Sequence, residues 1–212
     1  LLRSTDKGQT WSERIFLDRL GTIFITDPDT GDPLRTDDII PEAAVDPVSG
    51  ALYAVWQDAR FSDGQFDSIA FSQSLDGGLT WSDAIKVNLT PSDVPPGNQQ
   101  AFTPSVHVAA DGAVAVTYYD FRNNTPSPDT LPTDYFLVHC HPTDPATCTD
   151  PANWGDEVQV TDSSFDMRLA PFANGFFTGD YEGLSSIGEA FTPFFSQSHG
   201  TDPSSTFFRT VG

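Results

Sequence analysis

The chain has 212 residues, 38% of them hydrophobic and 12% aromatic, enough to bury a core of its own. Thirty acidic residues stand against ten basic ones, a formal net charge of −20, and Lys7 and Lys86 are the only lysines. Such a balance repels polyanions, so nucleic acid is not an expected partner. No stretch reads as a membrane span or a signal peptide.

In chain order, residues 1–4 read as the stub of one strand and 14–17 as its partner, joined through Ser4-Thr5-Asp6-Lys7-Gly8-Gln9-Thr10-Trp11. Asp27-Pro28-Asp29-Thr30-Gly31-Asp32 then carries carboxylates at alternate positions of a Gly-containing loop, a pattern that suits calcium. A plain turn is the alternative, because Asp46-Pro47-Val48-Ser49-Gly50 has a similar form between two strands. Asp27, Asp29 and Asp32 are the only metal candidates, and no other cofactor is expected. Four strands follow, at 41–46, 51–56, 68–73 and 84–88, and the last two are joined through Ser74-Leu75-Asp76-Gly77-Gly78-Leu79-Thr80-Trp81. Four more are read at 104–109, 113–119, 135–139 and 157–161, and a final three at 180–186, 190–195 and 206–211. Gly and Pro punctuate all of these, and no helix of ordinary length is visible.

The segments ending at Trp11 and Trp81 share the pattern S-x-D-x-G-x-T-W, and Asp6 and Asp76 lie 70 residues apart. The Asp is suited to accept backbone N–H bonds inside a tight turn, the Gly to supply positive φ, and the Trp to fold back on a neighbour. Trp154, 73 residues after Trp81, ends a third, degenerate copy in which Cys140 and Cys148 stand eight residues apart. A disulfide there fits an oxidising compartment; two free or metal-binding thiols are the alternative. His107, His139, His141 and His199 show no zinc-binding spacing.

The repeated motif, carried by Asp6, Gly8, Trp11, Asp76, Gly78 and Trp81, resembles the Asp-box (BNR) repeat of sialidase-type β-propellers. The resemblance implies an all-β fold of four-stranded antiparallel blades about a common axis, with both boxes on one face. The expected content is the C-terminal half, roughly blades three to six, of a six-bladed ring: residues 1–20 end one blade, 39–90 and 102–161 form two more, and 171–212 form a last blade lacking its closing strand. An N-terminal half or another chain would close the ring. The setting implied is secreted or cell-surface, and the partner a carbohydrate.

Three residues resemble the sialidase layout in order and place. Glu42 opens a strand in Pro41-Glu42-Ala43-Ala44-Val45, Arg60 ends the next in Trp56-Gln57-Asp58-Ala59-Arg60, and Tyr181 lies in Asp180-Tyr181-Glu182-Gly183-Leu184. The resemblance implies Tyr181 as nucleophile, Glu42 as its base and Arg60 as part of a clamp on the substrate carboxylate. A neutral tyrosine suits a sialic acid, whose anomeric carbon bears a carboxylate that would repel an anionic nucleophile. The family's third arginine has no positional match, and Arg122 or Arg168 is its expected substitute. Its acid/base aspartate and first arginine would lie upstream, so this chain alone is expected to be inactive. Asp58-Ala59-Arg60 and Asp120-Phe121-Arg122 recur 62 residues apart, which also fits a structural ion pair. A catalytically silent propeller that binds glycans or proteins is therefore the second reading.

Overall fold

A computed structural model describes residues 1–36, 38–144 and 146–212. Three antiparallel sheets follow one another along the chain. The first runs β1 (Glu42–Val45), β2 (Leu52–Asp58), β3 (Ser68–Ser74) and β4 (Ile85–Lys86). The second runs β5 (Ala101–Val108), β6 (Val114–Asp120), β7 (Pro132–Cys140) and β8 (Gly155–Gln159), with β9 (Phe165–Asp166) added against the start of β7. The third holds β10 (Gly183–Ile187), β11 (Ala190–His199) and β12 (Asp202–Phe208). Among the described residues the only helices are 3-10 turns of three or four residues, and no sheet closes on itself.

The sheets stack because both faces of the middle one are apolar. Its strands β6 and β7 are buried almost throughout, as expected of strands covered on both sides. One core joins it to the first sheet through Val55, Ile69 and Phe71 against Val116, Tyr118 and Val138. The other joins it to the third sheet, with Tyr119, Tyr135 and Leu137 meeting Phe191 and Phe195. At one margin of the stack, β5 lies between β1 and β10, so the opening strands of the three sheets are neighbours.

Residues 1–20 contain no assigned strand. The expected pairing is present only as a short ladder, in which Ser12 N donates to Arg3 O at 2.7 Å and Ile15 N to Leu1 O at 2.9 Å. The two S-x-D-x-G-x-T-W segments nevertheless fold alike. In the first, Asp6 accepts Thr10 N and Thr10 Oγ1 at 2.8 and 2.6 Å, while Gly8 N donates to Ser4 Oγ. In the second, Asp76 accepts Thr80 N and Thr80 Oγ1 at 2.9 and 2.7 Å, while Gly78 N donates to Ser74 Oγ. Gly8 and Gly78 take φ of 84° and 85°, conformations that suit glycine. The bonds from Thr10 and Thr80 hold the two carboxyls down to a pKa of about 2.

The tryptophans differ. Trp81 packs, half-buried, beside Ala54, Trp56 and Leu17, whereas Trp11 is 62% exposed rather than folded onto a neighbour. Trp154 is buried, meets Phe71 edge-on at 4.8 Å and donates from Nε1 to Cys148 O at 3.0 Å. Cys140 and Cys148 are joined in a disulfide. Pro145, inside the degenerate copy, lies outside the described residues.

Candidate functional site

The best-built polar groups lie where strands of the first two sheets end. At the end of β2, Asp58 is completely buried and accepts Arg60 N at 2.9 Å, capping a 3-10 turn, as well as Trp56 Nε1 at 2.9 Å. The Arg60 guanidinium returns to Asp58 at 2.7 Å and reaches Asp18 at 2.7 Å and Arg19 O at 2.8 Å. At the end of β6, Asp120 accepts Arg122 N at 3.1 Å and Arg122 Nε at 2.7 Å, and Arg122 also pairs with Glu157 at 2.5 Å. Its guanidinium stacks 3.6 Å over the Phe136 ring. Burial disfavours the Arg122 charge, but the bonds to Glu157 and Asp120 outweigh it and hold its pKa above the ordinary value. The Tyr118 hydroxyl donates to the same Glu157, and burial pushes that phenol well up.

Arg168 belongs to a third copy, Asp166-Met167-Arg168, in which Asp166 accepts Arg168 N at 3.0 Å. Its guanidinium crosses to Asp27 at 2.6 and 2.9 Å, to Asp29 at 3.3 Å and to Ser127 O at 2.8 Å. The positive charge that Asp27 and Asp29 face is thus a guanidinium. Asp32 is not part of that group, since its carboxylate takes Thr30 Oγ1 at 2.8 Å. Among the described residues no cluster of three metal-binding side chains is present.

Glu42 opens β1, where alternation turns it from solvent. Its Oε2 accepts Ser105 Oγ of β5 at 2.7 Å, and burial raises its pKa against the bonds from Ser105 and Val106 N. It lines a cavity of about 340 Å³ together with Asp18, Trp56 and Trp81. Tyr181 lies two residues before β10 and is 63% exposed. Its neighbours in sequence are both engaged: Asp180 with Arg35 at 2.9 Å, and the buried Glu182 with the Tyr119 hydroxyl at 2.9 Å. Among the described residues no hydrogen bond joins Tyr181 to Glu42, and Arg60, Arg122 and Arg168 each bind carboxylates of the chain itself. The structure therefore unites each arginine with an acid and leaves Glu42, Arg60 and Tyr181 unjoined. Asp18, Glu157 and the Tyr119–Glu182 pair escaped sequence reading. The third Asp-x-Arg copy was legible as a signal.

No protein-family model and no curated protein matches the chain in sequence. The solved structures it resembles include sialidases and related glycoside hydrolases with β-propeller folds. Among them, a Hadza microbial sialidase is matched over 99% of this chain and 37% of its own, at 16% identity and TM-score 0.53. A Dyadobacter fermentans protein of unknown function is matched over 99% and 44%, at 16% identity and TM-score 0.50. A B. megaterium levansucrase is matched over 89% and 55%, at 15% identity and TM-score 0.50. At these identities the likeness is one of fold. The chain spans 37% to 55% of the lengths of these three structures.

Proposed function

We propose that this chain is a C-terminal portion of a sialidase-like exo-glycoside hydrolase acting on terminal sialic-acid-type sugars. Its three sheets act as blades, with β1, β5 and β10 lining a central axis that the rest of the ring completes. The observation that carries the reading is Glu42: a half-buried carboxyl at the head of an inner strand, raised in pKa, opening on a cavity walled by Trp56 and Trp81. A carboxyl so held accepts a proton at neutral pH more readily than a solvated one. Glu42 takes the Tyr181 proton as the phenol oxygen attacks the anomeric carbon, and the acid for the leaving oxygen comes from upstream sequence. Tyr181, exposed and just outside β10, is free to swing toward the axis on substrate binding.

A second reading, a propeller that binds glycans without cleaving them, has its own support. Arg60, Arg122 and Arg168 are all neutralised by carboxylates within the chain, which weakens any clamp on a substrate carboxylate. The test uses the longer protein and a fluorogenic sialoside. Tyr181→Phe and Glu42→Gln should each lower turnover by about 10²-fold or more with little change in melting temperature. Undiminished turnover in either variant overturns that residue's role, and glycan retention without hydrolysis by the unmodified protein establishes the second reading.

A further inference from the structure

A cavity of about 330 Å³ lies between the third sheet and the segment that follows β8, a volume suited to one sugar ring. Two polar groups of its lining lack a full set of partners among the described residues. The Arg209 guanidinium touches only Val160 O and Asp162 Oδ1, both at 3.4 Å through Nη1. Its Nε and Nη2 donors bond to nothing among the described residues. Asp162 is 99% exposed and so holds this arginine loosely. Opposite in character, the Gln197 Oε1 acceptor is buried and has no partner among the described residues, an arrangement that costs free energy unless a donor reaches it. Gln197 stands where the β11–β12 register shifts. Phe207 and Phe208 add apolar wall, the latter largely exposed.

We infer that this cavity is a subsite for a sugar that carries a carboxylate, separate from the Glu42 cavity. The guanidinium fork takes the carboxylate in place of Asp162, since planar two-point pairing is what Arg does best with that group. A ring hydroxyl donates to Gln197 Oε1, and the C–H face of the ring rests on the phenylalanines. A neutral sugar leaves the fork unused, and a small carboxylate leaves Gln197 unpaired. Both requirements together select an acidic sugar. The subsite does not depend on the catalytic reading, because Glu42 and Tyr181 are not among its lining residues.

Titration calorimetry at fixed ionic strength tests it, with glucuronate as probe and glucose and acetate as controls. Glucuronate should bind and the two controls bind at least about tenfold more weakly. Arg209→Gln should weaken glucuronate by about 10- to 100-fold, the loss of a charge-assisted pair. Asp162→Asn should strengthen it, because the competing carboxylate is gone. Gln197→Leu should weaken glucuronate while leaving acetate unchanged, and Glu42→Gln should leave binding intact, so failure here and failure of the catalytic reading are distinguishable. Equal binding of acetate and glucuronate would reduce the site to an anion contact and overturn the proposal. Absence of glucuronate binding, or an Arg209→Gln variant that binds as well as the parent, would overturn it too.

Discussion

Asp-x-Arg occurs three times, and the local half of each copy is the same. The aspartate accepts the N–H of the arginine two residues on, at 2.9, 3.1 and 3.0 Å for Asp58, Asp120 and Asp166. What differs is where the guanidinium goes and how dry it is. Arg122 is 12% exposed and serves both the fully buried Asp120 and Glu157, whereas Arg60 is 34% exposed and shared with Asp18. Removing one member of a buried pair strands the other, at a cost of about 3–5 kcal/mol, while a solvated pair is worth about 0–1 kcal/mol. Arg122→Ala should therefore destabilise the protein by about 3–5 kcal/mol in urea unfolding. Arg60→Ala should lose less, about 1–3 kcal/mol, since the buried Asp58 keeps the Trp56 indole and the backbone N–H groups of Arg60 and Gly21. Equal losses would mean that the indole and backbone donors do not sustain the Asp58 charge once its guanidinium is gone.

At the scale of the hairpin, the tryptophans record whether a sheet lies alongside. Trp154 is buried on Phe71 of the preceding sheet, Trp81 is half-buried against Leu17 and Trp56, and Trp11 stands in solvent. The turn itself does not need the indole: Asp6 and Asp76 bind their turns with the same bonds although the two tryptophans differ in burial. Trp154→Ala should cost about 3–5 kcal/mol, and Trp11→Ala should change stability by less than about 0.5 kcal/mol. Denaturant midpoints of the two variants check this, and a large loss at Trp11 would show that its ring packs in solution on something not within the chain.

Across the whole molecule, charge is the strongest influence outside the cores. A net charge of −20 on 212 residues, most of it on the surface, is self-repulsion that the folded state must bear. Raising sodium chloride from about 20 to about 200 mM shortens the Debye length from roughly 20 to roughly 7 Å, and the melting temperature should rise by several degrees. A fall would mean that the surface ion pairs of Arg35 and Arg60 outweigh the repulsion. Stacking is unaffected by this field, because the cores that join the three sheets are apolar.

The two S-x-D-x-G-x-T-W turns were legible from sequence because the bonds that make them close within four residues, from Ser4 or Asp6 and from Ser74 or Asp76. Strand order was legible for a related reason, since hairpins join neighbours and burial alternates or persists along each strand. The Asp58–Arg60 pair, two residues apart, was likewise open to sequence reading. The partners of Arg168 were not, since Asp27 lies 141 residues away and only the stacking of sheets brings them within 2.6 Å. The same holds for Glu42 with Ser105, Tyr119 with Glu182, and the Arg209 cavity, whose parts come from two sheets. Local hydrogen bonding and periodicity are written into short stretches of chain, whereas the fate of a charge depends on which other chain segments exclude water around it, and that is decided by the tertiary structure alone.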